Sequence, residues 1–233
     1  MLKLLPILLA VGYGLIMWQF SAWRTKRDLD EKSTVLADPA LLAVTQHLAK
    51  ALGLTRVPVH IYETEVVNGL AAPDGRIFLT RGFYKKFHEG AVTAEEMASV
   101  IAHELGHVAL GHARRRMIDF SGQNAIRVVL ATVLGRFLPG IGTYVAGFLT
   151  SLLAARLSRQ DEFEADEWAS ALLIKAGIGT GPQKSLFAKL EGLTGLHGKT
   201  PPAWLMSHPK TAIRVRAIET NEAKWMANGP KNA

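Results

Sequence analysis

Cysteine is absent from this chain of 233 residues. Disulfides and thiolate metal ligands are therefore excluded, and any bound metal must be held by His, Asp or Glu. The compartment stays open, because a disulfide-free protein can work on either side of a membrane. Marks of nucleic-acid binding are missing as well. The formal charge is +7, but the Lys and Arg residues are scattered, with short clusters near Arg24, Arg115 and Arg214, and no base-stacking aromatic pattern accompanies them. No nucleic-acid partner is expected, and the basicity reads instead as attraction to an anionic bilayer surface. The length suffices for one catalytic domain with a substantial core, plus a membrane element.

Charge is absent from residues 4 to 23 (LLPILLAVGYGLIMWQFSAW), a run about as long as a helix needs to cross a hydrocarbon core of roughly 30 Å. Trp18 and Trp23, followed by Arg24, Lys26 and Arg27, suit an interfacial anchor. Ser21-Ala22-Trp23 makes a poor cleavage site, so residues 1–24 are expected to form an uncleaved transmembrane anchor rather than a signal segment. More positive residues follow this run than precede it, which tilts the catalytic domain toward the cytoplasm rather than the periplasm. Residues 25–37 read as a polar linker, 38–225 as the catalytic domain and 226–233 as a tail.

Within the domain, Asp38-Pro39 opens a helix whose apolar stripe, Leu41, Leu42, Val44, Leu48 and Leu52, ends near Gly53. Residues 57–62 and 76–80 read as strands, parted by Asn68-Gly69 and Pro73-Asp74-Gly75 turn signals, so a small sheet is expected. His60 alternates with Val59 and Ile61 and reads as a solvent-face strand residue rather than a ligand. Residues 126–157 form a second apolar stretch, interrupted by Arg136 and by Pro139-Gly140 with Gly142. Two short helices fit this pattern: a hairpin that dips into the bilayer, a lid over the active site, or an ordinary core hairpin.

The residues that carry chemistry begin at His103-Glu104-Leu105-Gly106-His107. An HExxH run inside a helix sets two imidazoles on one face with a carboxylate beside them, which is half of a catalytic zinc site. Thr93-Ala94-Glu95-Glu96 reads as a capping box, so the helix starts near Ala94. Met97, Val100, Ile101, Leu105 and Val108 carry it toward Arg114-Arg115-Arg116, whose charge suits a helix C-terminus. A catalytic zinc normally takes a third protein ligand. His112 would point to the opposite side of a continuing helix, so it reads as a surface or outer-sphere residue. The longer HExxHxxGxxH pattern fails, because Leu110 and Ala113 stand where Gly and His are needed.

Downstream, residues 158–169 form an acidic cluster in which Glu162, Asp166, Ala169 and Leu173 recur as one helical stripe. Glu162 is the expected third ligand, and Asp166, one turn on, is expected to accept from a ligand imidazole and fix its tautomer. Asp161, Glu164 and Glu167 read as solvated acids of a helix's first turn. Glu104 has the chemistry of a base that takes a proton from an activated water and returns it to the leaving amine. His208, in Met206-Ser207-His208-Pro209, is the candidate donor for a developing oxyanion, with Arg214 following.

The HExxH helix, the apolar insertion, the run Ser-Arg-x-x-Glu-x-x-Ala-Asp-x-x-Ala from Ser158, and Ser-His-Pro with a later Arg together resemble the HtpX-type membrane-associated zinc metalloendopeptidases, a group that includes the CaaX prenyl proteases. The resemblance runs from about Asp38 to Glu219. It implies a mostly helical α+β, zincin-like fold, a bacterial inner-membrane location and polypeptide substrates. It also implies one zinc per chain on His103, His107 and Glu162, catalysis by Glu104, support from Asp166, and a late histidine, His208, that steadies the transition state or gates the open zinc position. Asn68, Gly69, Leu70 and Ala71 resemble the family's Asn-Ala-Phe stretch, which implies an edge strand that pairs with extended substrate.

Overall fold

The computed structural model describes residues 19–20, 23–72, 74–190, 193, 208 and 212–228. The expected anchor lies almost wholly outside the described residues, as does most of the expected tail. Helix α1 covers residues 23–31. Then follow β1 (Ser33–Val35), α2 (Pro39–Leu52), β2 (Val59–Tyr62), β3 (Gly69–Ala71), β4 (Ile77–Thr80), α3 (Arg81–His88) and α4 (Ala94–Ala109). The chain continues through α5 (His112–Phe137), α6 (Gly142–Lys175), α7 (Gly181–Lys189) and α8 (Ala212–Asn228). The fold is mostly helical with one small sheet, as the sequence pattern predicts.

The sheet runs in the order β1-β2-β4-β3. β2 and β4 are parallel, with Val59 opposite Ile77, while β1 and β3 join antiparallel at the two edges. All four residues of β4 are buried, because it is a central strand covered on both faces. Ile77 and Leu79 enter the main core with Leu41, Leu48, Met97, Ile101 and Leu173, and Phe78 packs with Leu29 and Ala72 on the other side. Residues 25–37 are not a linker: they complete α1 and form β1. The Tyr62 hydroxyl donates to Asp28 at 2.6 Å and Arg76 reaches Asp30 at 2.7 Å, so this segment is stitched to the sheet.

Capping sets the helix bounds. Asp38 accepts from the Ala40 and Leu41 amides and starts α2. Both arms of the Thr93–Glu96 capping box form at the start of α4. Glu96 also accepts from Ser185 and Lys189, which docks α7 on that end of α4. At the other end α4 stops at Ala109, and Gly111, with φ 65°, turns the chain into α5. The Arg114–Arg116 cluster therefore belongs to the next helix instead of closing α4. The apolar stretch is not a pair of short helices either. α5 has 26 residues and α6 has 34, joined by a turn at Pro139-Gly140, and α6 runs straight through the acidic cluster. Asp161, Glu164 and Glu167 consequently lie within α6, far from its N-terminus. Among the described residues no helix is long and apolar enough to cross a membrane.

Candidate metal centre

His103 and His107 sit on successive turns of α4, both buried, and face α6. The stripe read from the sequence holds, since Glu162, Asp166, Ala169 and Leu173 are all buried. The two histidine Nε2 atoms are 3.1 Å apart. Glu162 Oε2 lies 3.4 Å from His103 Nε2, and its Oε1 lies 3.5 Å from His107 Nε2. His208 joins them, with Nδ1 2.9 Å from Glu162 Oε2 and 3.3 Å from His103 Nε2. Ligand atoms of these four residues all fall within 4.8 Å of one another. A tetrahedral ion with bonds of about 2.0–2.1 Å sets neighbouring donors roughly 3.3 Å apart, so the residues fit a divalent ion, and imidazole with carboxylate suits zinc.

Behind the donors stands a buried ion pair. His103 Nδ1 lies 3.0 Å from Asp166 Oδ1. Arg214 on α8 grips Asp166 with both prongs, Nε to Oδ2 at 2.6 Å and Nη2 to Oδ1 at 2.8 Å. Its Nη1 is 3.2 Å from Glu162 Oε2, so one guanidinium steadies a donor carboxylate and the carboxylate behind a donor imidazole. Sequence spacing offers Arg214 only as an oxyanion donor. The sign of its real place is an arginine on a helix face that must bury Ile218, one turn on, against the same core.

These contacts decide the charges. Burial disfavours a proton on His103, yet Asp166 and Glu162 outweigh it and raise the group to about 9 in the metal-free protein. Burial likewise opposes ionisation of Glu162 and Asp166. The histidines around Glu162, and Arg214 with His103 around Asp166, overcome it and hold both carboxyls below their ordinary values. Burial pushes His107 and His112 down, favouring neutral imidazoles.

Glu104, one residue after His103, is 2% exposed. Its Oε1 has no hydrogen bond among the described residues and lies 3.3 Å from His208 Nε2. A buried carboxylate oxygen aimed beside four donor atoms has the placement of a proton acceptor. The edge strand β3 lies against the same turn of α4. A Cβ on Gly69 would meet Val100 Cγ1 at 2.6 Å, with Glu104 Oε1 at 3.7 Å, so only glycine lets the strand approach so closely. Asn68 caps the approach, its side chain accepting from the Gly69 amide, and Leu70 and Ala71 continue along β3, whose outer edge has no strand partner among the described residues.

Of the two places expected for His112, the surface is wrong and so is the outward direction: it is 1% exposed, and its Nδ1 is 2.7 Å from His107 Nδ1, behind the donor cluster. It also groups with Asp161 and Glu164. Arg115 Nη1 fills that second cluster, 2.6 Å from Glu164 and 3.2 Å from Asp161, so it is an ion-pair network rather than a place for a metal. Asp161 is accordingly buried instead of solvated, while Glu167 is exposed as expected. His60 is half-buried and stacks on Phe78, ring centroids 5.2 Å apart.

Residues 36–222 match the sequence profile of peptidase family M48. Metalloprotease LoiP of Escherichia coli (strain K12) is 30% identical over 198 residues, covering 82% of this chain and 75% of its own. A protease HtpX homolog of Variovorax paradoxus (strain S110) is 26% identical over 256 residues, covering 93% and 85%. The human mitochondrial metalloendopeptidase OMA1 is 24% identical over 168 residues, covering 69% of this chain but 31% of OMA1.

Proposed function

This chain belongs to peptidase family M48 and is a metalloendopeptidase, and we propose that it cuts polypeptides at one zinc ion held by His103, His107 and Glu162, with Glu104 as general base. The convergence of those donors within 4.8 Å, with the buried Glu104 carboxylate beside them, carries the reading. A bound zinc would polarise the scissile carbonyl and make the attacking water more acidic. Glu104 takes that water's proton and delivers it to the leaving amine. Asp166, fixed by Arg214, orients His103 through Nδ1. His208 stands between Glu104 and Glu162, in reach of the oxyanion. The outer edge of β3, from Gly69 to Ala71 with Asn68 leading into it, pairs with an extended substrate backbone, which selects unfolded or membrane-proximal segments by conformation more than by sequence.

The test is metal removal. Casein cleavage by chelator-stripped protein should fall at least about a hundredfold and return with one equivalent of Zn²⁺ but not Mg²⁺. Cleavage that survives stripping would remove zinc from the account. A second reading, a metal-binding assembly factor without turnover, draws on His208 completing a four-donor cluster. It expects zinc uptake with no cleavage, even in His208→Ala.

We place the enzyme at a membrane, tethered by residues 1–24, with the α5–α6 hairpin in the bilayer surface. Phe137, Ile141, Tyr144 and Phe148 at its tip are each more than half exposed. Between Asp119 and Asp161 the charged residues are Arg127, Arg136, Arg156 and Arg159, all positive. An apolar tip with cationic flanks matches an anionic lipid surface. Because the chain has no cysteine, Tyr144→Cys can carry an environment-sensitive dye. Phosphatidylglycerol vesicles should shift its emission to the blue and raise it about twofold or more, while a dye at Lys50→Cys stays unchanged. A dye at position 144 that remains aqueous on vesicle-bound protein would contradict the hairpin placement.

A further inference from the structure

The break between α4 and α5 brings a fourth histidine, His112, behind the site. In a continuing helix residue 112 would be rotated about 140° from residue 107. Gly111 instead takes a left-handed conformation, and His112 opens α5 with its ring edge-on to His107, centroids 4.9 Å apart. His107 turns Nε2 toward the donor cluster. A nitrogen that binds metal carries no proton, so the His107 proton sits on Nδ1. That N–H donates across the 2.7 Å contact, and His112 Nδ1 accepts. The proton of His112 then lies on Nε2, which is 3.3 Å from Glu164 Oε2 and 3.8 Å from Asp161 Oδ1. Arg115 holds both carboxylates in place from the far side.

We propose that His112 is a positioning residue of the metal centre, fixing the tautomer and ring angle of His107 through Nδ1, with Glu164 and Asp161 as its backing. The inference rests on the reading that His107 is a zinc ligand. It gives the two α4 imidazoles different supports: a carboxylate, Asp166, behind His103, and a neutral imidazole behind His107. A neutral acceptor orients its ligand without placing another anion directly against it.

The test compares full-length wild type, His112→Ala and His112→Asn. Zinc affinity is read by competition with a chromophoric chelator, together with the Co²⁺ absorption spectrum and the kcat and KM of a fluorogenic peptide. Alanine should weaken zinc binding about 10–100-fold, alter the Co²⁺ bands and lower kcat with KM unchanged. Asparagine, which can place a polar atom near the Nδ1 position, should stay within about threefold of wild type. A merely structural role would instead destabilise the metal-free chain with both substitutions and leave the Co²⁺ bands alone. Should the alanine variant fail to fold, Glu164→Ala, partly exposed and acting through His112, should weaken zinc binding by roughly 2–10-fold. Wild-type affinity in these variants overturns the inference alone, and a wild-type chain that takes up no zinc overturns it together with the reading beneath it.

Discussion

Arg214→Met is expected to lower the stability of the metal-free protein by about 3–5 kcal/mol, with a Tm lower by roughly 10 °C. The side chain is 2% exposed and its guanidinium touches both Asp166 and Glu162. Methionine fills much of the volume but leaves two buried carboxylates with only the His103 imidazolium to offset them, and that uncompensated charge, rather than the loss of an attraction, sets the magnitude. Packing contributes less, since the main apolar neighbour is Phe187, whose ring centroid lies 4.8 Å from Arg214 Cζ. Part of the loss should return in Arg214→Met with Asp166→Leu, where one stranded carboxylate is removed. Denaturant unfolding of the chelator-treated variants measures both terms. An Arg214→Met chain as stable as wild type would mean that the pair does not brace this site.

The elements legible in the sequence are those whose signals are local. The capping box at Thr93–Glu96, the Asp38 cap and the stripe through Glu162, Asp166, Ala169 and Leu173 depend on spacing within one helix, and each forms as read. His103, Glu104, His107, Glu162 and His208 are accordingly found together. What spacing misses is set by turns and by partners distant in sequence. The left-handed Gly111 ends α4 before the basic cluster and swings His112 back onto His107, and a continuous helical wheel cannot show this. β1 has three residues, two of them exposed, and gains its order from pairing with β2, so its own residues read as linker. Asp161 reads as solvated because its partner Arg115 stands 46 positions away. Arg214 escapes for the same reason, its carboxylate lying 48 positions upstream.

Glu104→Gln is expected to have the largest effect on activity. The substitution keeps the shape of a 2% exposed side chain and leaves His103, His107 and Glu162 untouched, so folding and metal uptake should be preserved. An amide cannot take a proton from water, and the loss of a general base is worth about 10²–10⁴-fold in rate. kcat should carry that loss, with little change in KM, because in the proposed mode of binding β3 and the donor cluster, which the substitution leaves intact, hold the substrate. Glu162→Gln should fail differently, by losing the metal.

One paired measurement decides whether the carboxylate beside this donor cluster drives metal-dependent peptide hydrolysis: casein cleavage and zinc content of wild type and Glu104→Gln, determined on the same preparations. One zinc per chain is expected in both proteins, with cleavage reduced at least about a hundredfold in the variant. Equal cleavage by the two proteins, or wild-type cleavage without stoichiometric metal, would contradict that mechanism.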